Sequence, residues 1–207
     1  MSVLPKLATS LGRRDEVPNQ ELAASILRQK DPAVVVELID NLANKNKGIR
    51  YDCVKVLYEI GYVEPRMIAR HLDTFVALLD SRDNRMQWGG MTAVGCIARV
   101  DADSVFEHLP TIIAAAGKGS VITRDHCVNV LIELLGSSKY ANEAYAQLER
   151  QLITCPTNQL PMYAERAAPA IPARGRAGFV SLLATRLDDL PKESLRKRVE
   201  KVIRKMQ

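Results

Sequence analysis

The chain has 207 residues, of which 47% are hydrophobic but only 5% aromatic. This composition excludes wholesale disorder and suits a core of packed helices rich in small aliphatic side chains. The net charge of +5 is concentrated at one end, because residues 160–207 hold 11 Lys and Arg against 5 Asp and Glu, whereas residues 1–159 hold 18 against 19. The charge therefore does not predict a basic surface along the whole molecule.

All the predicted elements are helices. A helix over 18–29 is expected to cap the N-terminal end, and helices over 174–187 and 192–206 are expected to close the C-terminal end. Apolar residues recur at helical spacing in four helix pairs between them. The predicted pairs are 31–44 with 48–60, 65–80 with 85–99, 102–116 with 122–136, and 139–154 with 160–170.

Local signals support these boundaries. Pro32 and Pro65 follow acidic residues where helices are expected to begin, and proline is favoured in the first helical turn. Glycine takes the left-handed conformation that ends many helices. On this basis we predict helix ends at Gly61, Gly117 and Gly136.

An internal repeat is the most informative feature of the sequence. The ten residues from Arg50 and the ten from Arg124 are identical at six positions, at an offset of 74, which is twice 37. One period after Val54, Leu57 and Ile60 stand three more apolar residues, Met91, Val94 and Ile97. A helix pair repeated at a fixed period predicts an all-α superhelix, or solenoid, of about five pairs with a period of about 37 residues.

The same period predicts one domain over residues 1–207. Residues 1–30 would form an N-terminal cap, residues 31–170 the repeats, and residues 171–207 a C-terminal helix pair that acts as the second cap. Terminal repeats need a polar outer surface. The basic residues of the last helix are therefore expected either to be the solvated face of this cap or to be a basic handle for a partner.

The paired layout resembles HEAT-repeat proteins, particularly the phycobilisome-lyase type. The segments Asn84–Gly89 and Gly119–Thr123 are also similar to uncharacterised bacterial HEAT-like proteins. The resemblance implies the solenoid fold and no particular activity.

In such a fold the second helix of each pair would line the concave face. Placing Leu57 in the core gives three rows of outward positions, Lys55, Thr92, Asn129 and Arg166; Asp52, Gly89, His126 and Tyr163; and Glu59, Cys96, Glu133 and Ala170. Both charge signs occur in these rows. Such a mixture suits a protein or peptide better than a phosphate backbone, which requires a consistently basic groove.

The leading hypothesis is a non-catalytic scaffold that binds a protein or peptide in the groove. Its predicted contacts are Asp52, Lys55, Glu59, Trp88, Asn129, Glu133, Tyr163 and Arg166. The alternative is a nucleic-acid-binding or repair protein that resembles HEAT-like glycosylases for alkylated bases. Its predicted contacts are Tyr51, Arg85, Arg124, Asp125, Arg196, Lys197 and Arg198.

Single residues of chemical interest have two interpretations each. Trp88 either contacts a partner, with Gly89 and Gly90 leaving room for a close approach, or packs between neighbouring repeats. His71 and His108 occupy equivalent positions, which favours packing over a shared ligand site. No catalytic motif, metal-ligand spacing or cofactor motif is present, so we predict no catalytic residues, no metal and no cofactor.

Cysteine usage and hydropathy indicate the compartment. The chain has no CxxC pair, no stretch typical of a signal peptide and no apolar run long enough to span a membrane. These features predict a cytoplasmic protein with free thiols. Cys53 and Cys127 are expected in the core, Cys96 at the groove, and Cys155 in a loop.

Overall fold

A computed structural model describes residues 2–207 of the chain. Within that range the protein is 75% helical, with 13 α-helices and no strand. The helices are α1 (Val17–Gln29), α2 (Pro32–Asp40), α3 (Lys47–Val63), α4 (Arg66–Ala69), α5 (Leu72–Ala77), α6 (Asn84–Ala98), α7 (Ala102–Glu107), α8 (Leu109–Lys118), α9 (Val121–Leu134), α10 (Ala141–Thr154), α11 (Leu160–Ala167), α12 (Arg176–Thr185) and α13 (Glu193–Met206).

The chain divides into two compact units. Residues up to Cys127 form the first unit, and Val128–Gln207 form the second. The predicted division into a cap to residue 30, repeats to residue 170 and a closing pair is a separate subdivision and stays a prediction. In the described residues no helix is both long and apolar enough to cross a bilayer.

Repeated capping residues explain where the second helices of the pairs begin. The side-chain oxygen of Asn46 accepts the N–H of Gly48 at 2.9 Å before α3. Asp83 accepts the N–H of Arg85 at 3.0 Å before α6, and Ser120 accepts the N–H of Thr123 at 3.2 Å before α9. Short polar side chains at this position satisfy amide groups that have no partner within the helix. The period of the repeat is thus also a period of helix starts.

The first helices of the second and third pairs are broken, unlike the predicted continuous helices. His71 lies between α4 and α5, and His108 lies between α7 and α8. Pro110, in the first turn of α8, explains the second break, because proline cannot donate the hydrogen bond that would continue α7. His108 Nε2 contacts Asp73 Oδ1 in the first turn of α5 at 3.2 Å, and the predicted packing role of the two histidines stays a prediction.

Of the three predicted glycine helix ends, the one at Gly136 is confirmed and the other two are wrong. Gly61 lies inside α3 and Gly117 inside α8, while Gly136 lies in the turn after α9. In residues 2–207 positive φ angles occur only at Gly12, with φ 68°, and at Lys30, with φ 53°. Gly61 serves close packing instead, because a Cβ there would lie 2.9 Å from Cys96 Cβ.

The core repeats with the helices. At each of three core positions the residues one period apart are at most 1% exposed. The three sets are Val54, Met91 and Val128; Leu57, Val94 and Leu131; and Ile60, Ile97 and Leu134. Since burial of such aliphatic side chains is the main stabilising contribution, each copy contributes a similar share of the core.

Within the second unit, arginine and tyrosine side chains join elements far apart in sequence. The Arg186 guanidinium donates to the carbonyl oxygens of Leu152 at 2.6 Å and Ile153 at 2.8 Å, which are among the last carbonyls of α10. The Tyr145 hydroxyl donates to the Gly175 carbonyl oxygen at 2.9 Å. These bonds satisfy carbonyl groups that a helix end or turn leaves without partners.

Candidate functional site

Four aromatic side chains form a row across three helices of the first unit. We call Tyr62, Tyr58, Trp88 and His126 the aromatic row. The ring centroids of Tyr62 and Tyr58 are 5.7 Å apart, those of Tyr58 and Trp88 are 6.0 Å apart, and those of Trp88 and His126 are 6.0 Å apart with nearly parallel planes at 14°. These spacings are within the range in which aromatic rings attract each other.

Part of this row faces solvent. Tyr62 is 49% exposed, Trp88 and His126 are half-buried, and Tyr58 is buried beneath them. Trp88 therefore packs between residues of the neighbouring repeats and also presents part of its ring outward. The packing interpretation of Trp88 is confirmed, and its contact with a partner stays a prediction.

The two glycines after Trp88 have a packing role. A Cβ on Gly89 would lie 2.8 Å from Val54 Cγ2, and a Cβ on Gly90 would lie 2.8 Å from both Leu78 Cβ and the Phe75 carbonyl oxygen. Such distances are shorter than van der Waals contact, so α6 approaches its neighbours more closely than a side chain would allow. The interpretation that these glycines leave room for a partner is wrong.

A buried lysine lies beside the row. Lys55 Nζ contacts Glu16 Oε2 at 2.7 Å and Glu59 Oε1 at 2.6 Å, and lies 5.0 Å from the centre of the Tyr58 ring. Burial alone would lower the pKa of Lys55, but the two carboxylates outweigh this effect and hold its pKa above the ordinary value. The Lys55 ammonium, predicted as a groove contact, already has ionic partners within the chain.

Asp52 and Tyr163 do not present their side chains to solvent as the rows predict. Asp52 is 6% exposed, and its carboxylate accepts the Thr9 N–H at 2.7 Å and the Asn19 amide at 2.7 Å. Tyr163 is fully buried. Periodicity locates Asp52 on the correct helix face but does not reveal that the N-terminal segment covers that face.

Tyr51 and Arg85, predicted for nucleic acid, contact each other. The Arg85 guanidinium carbon lies 4.9 Å from the Tyr51 ring centre, and Lys47 Nζ lies 5.3 Å from it. The Tyr51 hydroxyl donates to Asp83 at 2.8 Å. Burial would raise the pKa of Asp83, but this bond, the Arg85 backbone N–H and the Lys47 ammonium hold its pKa below the ordinary value. Asp83 thus neutralises one of the two cations of this cluster.

The remaining predicted nucleic-acid residues lie elsewhere. Arg124 and Asp125 are half-buried on α9. The other three, on α13 in the second unit, are exposed but mostly paired, since Lys197 contacts Glu193 at 2.6 Å and the guanidinium of Arg198 contacts Glu165 at 2.8 and 2.5 Å. Arg196 donates to the Leu190 carbonyl oxygen at 3.0 Å.

In the second unit, one predicted row has adjacent members. The Arg166 guanidinium donates to Asn129 Oδ1 at 3.3 Å, across 37 residues of sequence. Arg166 and Glu133 are exposed. Asn129 and Arg166 thus occupy neighbouring positions one period apart, as the row requires. The binding role of Asn129, Glu133 and Arg166 stays a prediction.

All four cysteines are buried, and none forms a disulfide within the described residues. Burial raises the pKa of Cys127 to about 12, and burial with the nearby Asp52 carboxylate raises the pKa of Cys53 to about 12 as well. The core positions expected for these two are confirmed. Cys96 is only 3% exposed, so its predicted groove position is wrong, whereas Cys155 lies at the end of α10 and is 2% exposed.

Sequence reasoning did not identify Glu16, Tyr58 or Tyr62 as part of this surface. Two features of the sequence could have indicated these aromatic residues. Tyr58 and Tyr62 stand one helical turn apart on α3, and Trp88 lies one period beyond Tyr51. It also missed the buried link in which Gln87 accepts the Thr123 hydroxyl at 3.0 Å and donates to the Leu79 carbonyl oxygen at 2.9 Å.

Comparison with known proteins identifies the fold. Neither a protein-family profile nor a curated protein sequence matches the chain. Among solved structures, a designed armadillo repeat protein in complex with the peptide (KR)4 superimposes with a TM-score of 0.70 at 16% identity over 100% of both chains. Designed armadillo proteins for modular peptide recognition give 0.65 at 14% identity over 92% of both chains.

A natural protein is also similar. The archaeal HEAT-like repeats protein from Thermococcus onnurineus NA1 gives a TM-score of 0.50 at 15% identity, covering 93% of this chain and 97% of that one. At such identities the likeness concerns the fold alone. The predicted all-α solenoid class is confirmed, and the chain has the repeat fold shared by armadillo and HEAT-like proteins.

Proposed function

We propose that the protein is a repeat scaffold that binds a protein segment or peptide at the aromatic row. The observation that carries this proposal is the partly exposed Tyr62, Trp88 and His126 above a buried Tyr58. Large rigid rings supply contact area with little loss of side-chain entropy, which is why they are enriched at binding sites. The peptide named in one similar designed structure makes this class of ligand the natural first test.

Charge supports a peptide over a nucleic acid. The cations near the row are balanced by carboxylates, since Lys55 contacts Glu16 and Glu59, and Lys47 lies 3.7 Å from Asp83. Tracking of a phosphate backbone depends on cations that release counterions from the nucleic acid, and paired cations contribute little to that release. A peptide has polar, charged and apolar groups that suit a mixed surface.

The test uses Trp88, the sole tryptophan of the chain, as the reporter. A displayed library of random peptides is selected on the whole immobilised protein, and enriched peptides are titrated while Trp88 fluorescence is followed. We expect saturable changes, and Tyr62→Ala should weaken binding by about 1–2 kcal/mol, as for a typical interface aromatic. Tyr62 is suited to this test because it is 49% exposed, whereas another tyrosine of the chain, Tyr140, is only 8% exposed and offers little surface to a ligand.

The matched control is Val63→Ala, which removes an exposed apolar side chain adjacent to Tyr62 that makes no aromatic contact. Binding should be nearly unchanged in this variant. The proposal is wrong if enriched peptides bind wild type and Tyr62→Ala equally, or if selection enriches no peptide while a nucleic acid binds the protein tightly.

A further inference from the structure

A cavity of about 240 Å³ lies in the first unit between the N-terminal segment and the beginning of α3. Its wall includes cationic, anionic and aromatic side chains, namely Arg13, Arg14, Arg85, Asp52, Glu16 and Tyr51. The volume is suited to one small charged group rather than to a large cofactor, since sites for drug-sized molecules begin at roughly 300 Å³.

The carboxylates of this wall already have donors. Asp15, which also lines the cavity, accepts two bonds at 2.8 Å from the Arg13 guanidinium. The Arg13 hydrogen bonds, helped by the Val17 N–H, outweigh the opposing effect of burial and hold the pKa of Asp15 below its ordinary value. Asp52 accepts from Thr9 and Asn19, as described above. Neither carboxylate therefore offers strong acceptor capacity to a ligand.

Two arginine side chains of the cavity wall, Arg14 and Arg85, keep unused hydrogen-bond donors. Within the described residues, the Arg14 side chain makes no hydrogen bond or ion pair, and it is exposed. The Arg85 guanidinium has one ionic contact, at 3.7 Å to Glu16, and otherwise stacks on the Tyr51 ring. A guanidinium has five N–H donors, so both side chains can bind an additional anion.

The contacts of Glu16 indicate that an anionic group fits at the edge of this cavity. Its two carboxylate oxygens face Lys55 at 2.7 Å and Arg85 at 3.7 Å, so it joins cations of α3 and α6. The residue precedes α1 and its side chain is half exposed, so it can turn toward solvent and leave Lys55 paired with Glu59. An internal carboxylate thus already occupies the edge of the cavity that a ligand's anion would approach.

We infer that this cavity binds an anionic group, a carboxylate or a phosphate, through Arg14 and Arg85. For the identity of its partner the inference rests on the proposed function. Glu16 lines the cavity and contacts Lys55, whose ammonium lies 5.0 Å from the centre of the Tyr58 ring in the aromatic row. The cavity is therefore placed to receive an acidic residue of a peptide that binds the row. The source of the anion is then a peptide side chain, or alternatively a free phosphate.

The first experiment does not depend on any peptide. Inorganic phosphate is titrated into the whole ¹⁵N-labelled protein, and the amide signals of Gly48 and Tyr51 are followed. We expect saturable shifts in wild type and a dissociation constant roughly tenfold higher in the Arg14→Gln/Arg85→Gln double variant, because it loses both guanidinium contacts to the anion. Arg66→Gln, which removes an exposed arginine of α4, should behave as wild type.

Two outcomes would overturn the site. Either the shifts fail to saturate, or the double variant and Arg66→Gln bind phosphate equally, which would indicate an adventitious ion only. If the double variant does not fold, as judged by circular dichroism, Arg14→Gln alone provides the test because its side chain has no structural partner. Glu16→Gln should strengthen phosphate binding, since it removes the internal competitor, and weaker binding in this variant would refute that role.

The second experiment identifies the source. Two amidated octapeptides of alternating Tyr and Ser, which differ only in one central Glu or Gln, are titrated against Trp88 fluorescence. Tighter binding of the Glu peptide, abolished by Arg85→Gln, assigns the cavity to an acidic side chain. If the Glu and Gln peptides bind equally and the phosphate titration saturates, the cavity is assigned to free phosphate. If neither peptide binds while phosphate does, the proposed function loses support and the anion site stands.

Discussion

Removal of the Asp52 carboxylate should destabilise the first unit strongly. In Asp52→Ala the Thr9 N–H loses its acceptor at 2.7 Å, and the buried Asn19 amide loses its acceptor at 2.7 Å. A hydrogen bond to a charged group contributes about 1.5–3 kcal/mol, and a buried donor left without a partner costs about 1–3 kcal/mol. Allowing for the part-buried position of Thr9, we expect a loss of about 3 kcal/mol.

Asn19 cannot adapt to the substitution. Its side-chain oxygen accepts the Ala8 N–H at 3.0 Å, so rotation of the amide to relieve one stranded donor breaks another bond. Asp52→Asn should therefore be less harmful, at about 1–2 kcal/mol, because its amide oxygen keeps one of the two acceptor positions but loses the charge. The free energy of unfolding should therefore decrease in the order wild type, Asp52→Asn, Asp52→Ala.

The assay is urea-induced unfolding of the whole chain followed by Trp88 fluorescence, which reports on the first unit. If the slope of the unfolding free energy against urea concentration is unchanged, the substitution has altered the stability of the fold and not the compactness of the unfolded state. Asp188→Ala removes an exposed carboxylate with no ion pair in the described structure and should stay within about 0.5 kcal/mol of wild type. If Asp52→Ala also stays within that range, the assigned role of Asp52 is refuted.

Three further predictions follow from the packing and the charges. Gly90→Ala should destabilise the protein by about 1–3 kcal/mol because its Cβ would meet the Phe75 carbonyl oxygen. Gly117→Ala should instead stabilise it by up to about 1 kcal/mol, because Gly117 lies in a helix with open space around it. Thermal unfolding measures both changes. Arg198 and burial act oppositely on Glu165, and the guanidinium holds its pKa below the ordinary value, so this pair stabilises above pH 4.5 and its contribution is lost as the pH falls through the folded-state pKa. In urea unfolding, Arg198→Gln should thus reduce stability at pH 7, by under about 1 kcal/mol because both side chains are nearly half exposed, and this effect should shrink as the pH falls below 4.5 and through the folded-state pKa of Glu165. A gel-shift series should show no tight, steeply salt-dependent DNA binding, and retardation that decays sharply with salt would support the nucleic-acid alternative instead.

The part of the fold that the sequence predicts is the part that repeats. Val54, Leu57 and Ile60 recur as buried residues because each copy must bury the same stripe of apolar side chains, and this requirement leaves a fixed spacing in the chain. The breaks at His71 and His108 left a weaker signal, since only the second has a nearby proline. Helix boundaries were correct to within a few residues because capping residues and prolines are local.

The surface was less predictable because it depends on residues outside the period. Lys55 and Asp52 stand where an outward row is expected, and yet Glu16 and Thr9 of the N-terminal segment cover them. No equivalent segment precedes the other copies, so translation by one period carries no information about it. The aromatic row, in contrast, uses Trp88 and His126 from inside the repeat, and only its Tyr58 and Tyr62 members were missed.

The size of the exposed row limits how it can bind. An aromatic side chain buries about 150–250 Å², of which about half is exposed at Tyr62 and at most about a third at Trp88. At about 25 cal/mol per Å², these two side chains supply at most on the order of 4 kcal/mol, which only matches the lower estimates of about 4 kcal/mol for the entropy lost on association. The row alone therefore gives weak binding, and useful affinity requires a ligand long enough to add polar contacts beside it. An extended peptide with an acidic residue that reaches Arg85 meets this requirement, whereas an isolated aromatic molecule does not.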